Sequence, residues 1–313
     1  MRKILILGFS DLSQRKIIPI LQNLNYVEEI EIASKSKIIS KNNKIKKTYF
    51  DYDTALKETS ADLIYISLPN SQHYKYCKES ILLNKSVIVD KPAVLSSAEL
   101  NSLNSLMLKK NQFITQSCVF QYHKAWNEFV DISKKHTPGT LNLTFHIPKL
   151  DEANFRMSKD FGGGCLNDMG IYATEASRLF WGDNPNSYKI FKNFNSKNLD
   201  INFHGEASYG NNAITKFNFS FNSNYKNFAK FDSGNFSITY ERVFSPHENV
   251  DININITEDG LEKSVNIGFD NTFLNYFDYI FNEINQKNYD KINYQFNESV
   301  NEFLRFKEFS YGK

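Results

Sequence analysis

Glycine is scarce in this 313-residue chain, at 13, and proline and cysteine are scarcer still, at 7 and 3. That composition excludes collagen-like and glycine-rich flexible architectures. Cys77, Cys118 and Cys165 are odd in number and lack paired spacing, which argues against a disulfide framework and suits a reducing, cytoplasmic setting. Neither sign of charge is in excess: 37 Lys and Arg face 35 Asp and Glu, a net charge of +2. No field for recruiting nucleic acid or a membrane surface is implied. The basic run from Lys35 to Lys47 is the exception and has the look of a solvated loop. No apolar run approaches the roughly 20 residues that span a bilayer. The apolar stretch at Ile4–Leu7 is too short for a signal peptide and has no small-residue cleavage site behind it. The six histidines are scattered without His-x-x-x-His spacing, so no metal site is expected. A Ser–His–Asp hydrolase is disfavoured by the lack of a Gly-x-Ser-x-Gly elbow.

Length alone suggests two domains, and the texture of the chain agrees. The first half alternates strands and helices. Continuous apolar runs at Ile4–Leu7, Asp62–Pro69 and Ser86–Pro92 read as strands buried on both faces. Helical stretches lie between them; one opens on a Ser96/Glu99 capping box and repeats Leu100, Leu103, Leu106 and Met107 at helical spacing. Gln112–Phe120 reads as a further strand. This order predicts a doubly wound parallel sheet over residues 1–120. From about residue 140, period-two alternation predicts a large, mostly antiparallel sheet with one covered face, and Asp259-Gly260 marks a hairpin. Two helical stretches close the chain. Residues 121–313 are therefore assigned to a second, α+β domain, whose open sheet face suggests self-association.

Doubly wound sheets bind ligands beyond the carboxyl ends of their strands. After the first strand the chain reads Gly8-Phe9-Ser10-Asp11-Leu12-Ser13. A dinucleotide fingerprint would carry three small residues there, so that the pyrophosphate can approach a helix start. Only Gly8 is kept; Ser10 and Ser13 take the other places, with hydroxyls able to donate to phosphate. An ordinary strand-to-helix turn looks much the same. The second strand ends in Ser34, Lys35 and Ser36 where an acidic residue would hold a free ribose 2′-hydroxyl, so NADP(H) is favoured over NAD(H). Lys91, just past a buried strand and followed by Pro92, falls at the ligand-binding edge. A lysine there can polarise a carbonyl oxygen and lower a tyrosine pKa from about 10.

Gly162-Gly163-Gly164 precede a helix with an apolar stripe of Leu166, Met169, Ala173, Ala176 and Phe180. Asp168 and Tyr172, at i and i+4, are neighbours on another face. The glycines permit a tight bend and the close approach of a ligand to the helix start. A solvated Asp–Tyr pair is the plainer alternative.

Taken together, these motifs resemble the Gfo/Idh/MocA oxidoreductase family. The resemblance implies a Rossmann domain followed by an α/β domain with an open sheet often used for dimers, and hydride exchange between a nicotinamide and a sugar or polyol. Asp90-Lys91-Pro92 matches the family's Glu-Lys-Pro motif, with Lys91 as the catalytic or substrate-orienting lysine. Asp168 matches the aspartate after the glycine run, and Tyr172 falls where many members have histidine. Leu68, Pro69, Asn70 and His73 match the segment lining the nicotinamide side of the cofactor, to which Asp90, Lys91 and Pro92 also contribute. Tyr225-Lys226-Asn227, Gly234 and Arg242-Val243-Phe244-Ser245-Pro246 resemble a stretch of the nucleotide-sugar 3-ketoreductases.

The expectation is thus an NADP(H)-dependent reductase of a nucleotide-linked ketosugar. Tyr172 would be its proton donor, Lys91 would polarise the carbonyl, and Asp168 would hold a sugar hydroxyl. A homodimer or homotetramer through the C-terminal sheet is expected. The competing expectations are an NAD-dependent dehydrogenase of a free sugar or polyol and a non-catalytic dinucleotide sensor or scaffold.

Overall fold

The structure is a computed structural model that describes residues 2–36, 43–248 and 250–312. Residues 37–42 of the expected basic loop lie outside that set. The chain divides into two compact units: Met1–Ser117 with Tyr276–Val300, and Cys118–Asn275 with Asn301–Lys313. The units are not two uninterrupted halves, because Tyr276–Val300, near the C-terminus and drawn from two successive helices, belongs to the first.

In the first unit, β1 (Arg2–Leu7) runs into a helical segment wound as a π-helix at Ser13–Ile17 and continuing as α1 (Ile18–Asn23). There follow β2 (Val27–Ala33), β3 (Ile45–Tyr49), α2 (Tyr52–Glu58), β4 (Leu63–Ile66), α3 (Asn70–Leu82), β5 (Ser86–Val89), α4 (Ser97–Lys110) and β6 (Ile114–Gln116). The strands form one sheet in the order β3-β2-β1-β4-β5-β6, with every pairing parallel. This is the doubly wound arrangement, whose order reverses beside β1. All of β4 and β5 is buried, as apolar runs covered on both faces require. The expected cap of α4 is present: Glu99 N donates to Ser96 Oγ at 3.3 Å, while the Glu99 carboxylate reaches back to accept from Leu95 N at 2.7 Å. The strand expected over Gln112–Phe120 is only three residues long, and the chain turns helical again at Val119–Tyr122.

The second unit contains α5 (Lys124–Lys134), β7 (Thr140–His146), α6 (Cys165–Trp181), β8 (Ser187–Phe194), β9 (Asp200–Gly210), β10 (Ala213–Ser220), β11 (Lys226–Ser233), β12 (Phe236–Glu241), β13 (Ile252–Glu258) and β14 (Leu261–Gly268). The chain ends in α7 (Thr272–Asn285), α8 (Tyr289–Glu308) and β15 (Ser310–Gly312). Nine strands make one sheet, β14-β13-β12-β11-β7-β10-β9-β8-β15. It is antiparallel except where β10 meets β7 and β15 meets β8. Alternate residues such as Leu141, Leu143, Phe217, Phe219, Phe203 and Phe231 are buried, and α5 and α6 pack against the sheet. The other face carries Lys189, His204, Glu206, Lys216 and Asn218 around a shallow concavity of about 930 Å³. Asp259 (φ 51°) and Gly260 (φ 78°) make the expected hairpin. β12 stops at Glu241, because Arg242 has φ 61° and leaves the ladder. Among the described residues, no helix is long and apolar enough to cross a membrane.

Candidate active site

In the first unit the turn after β1 is built on Gly8. Its φ is 103°, and a Cβ there would overlap the Ser67 carbonyl oxygen. Only glycine allows that approach. Ser10 Oγ accepts from Ser13 N at 3.0 Å and lies 2.7 Å from Ser67 Oγ. Ser67 Oγ donates to Asp90 Oδ2 at 2.6 Å, so its single proton is committed and Ser10 must be the donor to Ser67. Asp90 Oδ1 accepts from Tyr65 OH at 2.7 Å and Ser117 Oγ at 3.1 Å. Ser13 is fully buried and donates to the Ser10 carbonyl at 2.9 Å. Both serine protons therefore point into the turn instead of outward to phosphate as expected. Phe9, Ser10 and Leu12 are half-buried around the start of the helix. The turn fits a dinucleotide pyrophosphate through backbone amides at a helix N-terminus, not through these hydroxyls.

At the end of β2, Ser34 is buried and its Oγ accepts from Ser36 N at 3.1 Å. Lys35 and Ser36 are exposed, and the Lys35 ammonium lies 5.7 Å from the centre of the Tyr52 ring.

The loop after β4 and the loop after β5 are joined by His73. This fully buried imidazole has Nε2 2.7 Å from the Leu68 carbonyl and Nδ1 2.8 Å from the Pro92 carbonyl. A neutral ring has one donor, so only an imidazolium satisfies both carbonyls. Burial nevertheless pushes its pKa below the ordinary 6.5; Asp90 works against that shift and Lys91 adds to it. Asn70 is buried beside Pro69 at the start of α3. Lys91 is half-buried and precedes a cis Pro92, and Gln116 Oε1 accepts from Ala93 N at 3.2 Å.

In the second unit the three glycines make room for the protein itself. A Cβ at Gly163 would overlap the carbonyl oxygens of Arg156 and Ser158, and one at Gly164 (φ 108°) would overlap the Asp200 carboxylate. Asp200 Oδ2 accepts from Leu166 N at 2.6 Å in the first turn of α6, where the helix dipole favours an anion. Burial pushes the Asp200 pKa up, and the Leu166 amide opposes that shift. The expected approach of a ligand to this helix start is thus replaced by an internal carboxylate.

Asp168, 5% exposed, accepts from Arg156 Nε at 3.0 Å. That ion pair, buried at Asp168 and part-exposed at Arg156, replaces the alternative of a solvated Asp–Tyr pair. Tyr172 follows one turn later, half-buried, with its ring centre 5.2 Å from Phe244, 5.9 Å from Phe145 and 6.2 Å from Phe120. Arg156, Asp200, Ser67 and Ser117 went unnoticed in the sequence. Asp200 lies 34 residues beyond the amide it meets, with no pattern linking the two.

A model of the oxidoreductase family with an NAD-binding Rossmann fold matches residues 2–117, and one of the Gfo/Idh/MocA C-terminal domain matches residues 137–242. A dTDP-3,4-didehydro-2,6-dideoxy-alpha-D-glucose 3-reductase of Saccharopolyspora spinosa is 23% identical over 181 residues, which are 56% of this chain and 54% of that protein. The chain spans about half the length of the curated 3-reductases it matches. A D-xylose 1-dehydrogenase (NADP(+)) of Haloferax volcanii is 24% identical over 227 residues, 70% of this chain and 69% of that one. The solved structure of a 3-ketoreductase from Actinomadura kijaniata with NADP and TDP-benzene shares the fold, with a TM-score of 0.88 at 15% identity over 99% of this chain and 98% of that one. The strand order, the motifs and the two matched family models together place this chain in the Gfo/Idh/MocA oxidoreductase family.

Proposed function

We propose that the protein is an NADP(H)-dependent reductase of a ketosugar carried on a nucleotide. A bound nicotinamide supplies the hydride. Tyr172 gives its phenolic proton to the carbonyl oxygen as the alcohol forms, and the phenolate is reprotonated from solvent. Lys91, a cation with three donors, hydrogen-bonds the same oxygen and favours the phenolate. Asp168, anchored by Arg156, orients a sugar hydroxyl.

Gly8, Phe9, Ser10, Leu12 and Ser13 form the turn that holds the pyrophosphate. Ser34, Lys35 and Ser36 hold the 2′-phosphate. Leu68, Pro69, Asn70, His73, Asp90, Lys91 and Pro92 form the nicotinamide side. In this division residues 1–120 bind the dinucleotide and 121–313 bind substrate and partner subunits, with Tyr276–Val300 returning to the first compact unit.

The observation that carries this reading is the setting of Tyr172. It is a half-buried tyrosine, walled by Phe120, Phe145 and Phe244, on a helix pinned by Asp200 and one turn from the ion pair of Arg156 with the buried Asp168. The sugar reductases among the relatives, and the NADP and TDP-benzene bound to the Actinomadura enzyme, support the same choice of cofactor and substrate class. The test is turnover of NADPH with a panel of nucleotide-linked ketosugars by wild type and Tyr172→Phe. A panel without turnover despite tight NADPH binding favours a non-catalytic sensor.

The xylose dehydrogenase relative supports the substrate of a second reading, NAD-dependent oxidation of a free sugar or polyol, but its name carries NADP(+), not NAD. Substrate, free or nucleotide-linked, separates the two readings, and coenzyme preference tests the NAD half of the second. With Lys35 placing its charge at the end of β2, Lys35→Asp is expected to shift selectivity from NADPH towards NADH about tenfold, near 1.4 kcal/mol. Equal use of both coenzymes by wild type would count against the NADP(H) assignment.

The open sheet face carries both signs of charge, with Lys189, Lys216 and Lys230 beside Glu206 and Asp232. Two copies related by a two-fold can pair these charges, so a homodimer or a tetramer of such dimers is proposed, and light scattering reports its mass. Cys77, Cys118 and Cys165 are buried and not joined in disulfides, in keeping with a proposed cytoplasmic location.

A further inference from the structure

Arg242 is the odd arginine of this chain. Six arginines are present, and Arg2, Arg15, Arg156, Arg178 and Arg305 each meet a carboxylate. Among the described residues Arg242 meets none, and its buried Nε has no hydrogen-bond partner. A guanidinium stays charged at any working pH, and a buried donor left unmatched is unfavourable unless something outside the chain accepts from it.

The backbone at this position is also unusual. Arg242 has φ 61°, a left-handed conformation that a bulky side chain adopts only where its surroundings impose it. Asn227, 2% exposed, imposes it here. Its Oδ1 accepts from Phe244 N at 3.0 Å and its Nδ2 donates to Ser245 Oγ at 2.9 Å. Its backbone carbonyl accepts from Arg242 N, and Ser245 N closes the turn on the Arg242 carbonyl at 3.1 Å. The turn lays the guanidinium 5.0 Å over the face of Tyr225, which is 41% exposed and holds its hydroxyl 3.1 Å from Ser245 Oγ. A flat cation backed by an aromatic face keeps its N–H fork directed sideways, the geometry that matches two oxygens of a phosphate. Tyr225 stands 6.5 Å from Phe145, and Phe145 and Phe244 both wall Tyr172. The unmatched cation therefore lies along the same aromatic wall as the proposed proton donor.

We propose that Arg242, set by Asn227 and backed by Tyr225, binds the diphosphate of the nucleotide-linked substrate. This rests on the reading of the protein as a nucleotide-sugar reductase and assigns the residue that would tell such a substrate from a free sugar. The shared chemistry is a diphosphate, which a dinucleotide cofactor also carries, so the test separates the two sources.

The full-length chain, saturated with NADPH, is titrated calorimetrically with thymidine diphosphate, uridine diphosphate and inorganic pyrophosphate. The variants are Arg242→Asn, which tolerates the left-handed backbone, and Arg242→Lys, which keeps charge without the fork. Thermal melting confirms that both are folded. At least one nucleoside diphosphate should bind wild type. Arg242→Asn should weaken it tenfold or more, Arg242→Lys should recover only part, and NADPH affinity should not change in either. The proposal is overturned if Arg242→Asn binds the diphosphate as wild type does, if wild type binds none of the three probes, or if the variant loses NADPH affinity instead. Binding is measured here without turnover. Diphosphate recognition through Arg242 with no ketosugar reduced would uphold the subsite and sink the activity. Reduction of free ketosugars alone would do the reverse.

Discussion

Two glycine bends, at Gly8 and at Gly162–Gly164, each deliver the chain into a helix, and they are built for different purposes. At Gly8 the missing side chain admits a backbone carbonyl of the neighbouring strand end, Ser67. Among the described residues no carboxylate from elsewhere in the chain closes the helix that follows; Asp11 pairs with Arg15 within it. At Gly164 the missing side chain admits Asp200, and that carboxylate already occupies the start of α6. The first helix start is closed by the hydroxyl of Ser10 within its own turn, and the second by a carboxylate brought from β9. A glycine run before a helix is therefore not in itself a phosphate site; the partner at the helix start decides.

Substitutions sharpen that contrast. Gly8→Ala should be the most damaging, because the obstructing atom is backbone that cannot move aside; loss of soluble protein or of NADPH binding is expected. Gly164→Ala should cost about 3 kcal/mol, from overpacking and a strained positive φ. Combined with Asp200→Gly it should recover part of that loss, since the obstruction there is a side chain. Chemical denaturation measures both, and no coupling between the two sites would break the comparison. Asp200→Gly alone should cost about 2 kcal/mol through the lost N-terminal hydrogen bond and lower turnover while leaving NADPH affinity within about twofold.

The smallest expected effect is one of pH. His73 has a depressed pKa in the fold, so the unfolded chain takes up the proton first as pH falls. Its contribution to stability is complete above about 6.5 and declines as pH drops from there towards the folded value. Buried His123 adds a slope of the same sign. Denaturation between pH 7 and 5 should show stability falling, and His73→Gln should flatten part of the decline; a steeper decline in the variant would mean that His73 is held as an imidazolium in the fold.

Much of the first sheet was legible because β1, β4 and β5 are short unbroken apolar runs that can only be strands buried on both faces. β8 and β9 escaped notice. Lys, Asn and Gly dilute their alternation, and Gly205 interrupts β9 where a Cβ would overlap the Lys189 carbonyl oxygen. The closing helices were legible as helices, but periodicity does not say against which sheet a helix packs, so the return of Tyr276–Val300 to the first unit was not visible. In the candidate site, Lys91, Asp168 and Tyr172 stood out by residue type and spacing. Arg156, Asp200 and Ser67 did not, since each acts through a contact distant in sequence or through a hydroxyl that local pattern cannot orient.

The most direct test is single-turnover oxidation of NADPH, followed by its absorbance across pH 6 to 10 with a nucleotide-linked ketosugar. Wild type, Tyr172→Phe and Lys91→Met are compared. The proposed chemistry requires Tyr172→Phe to slow the step by about 10²–10⁴-fold with NADPH binding intact, and requires Lys91→Met to move the alkaline limb of the rate profile upward in pH. A Tyr172→Phe enzyme that reduces the ketosugar at the wild-type rate would contradict it.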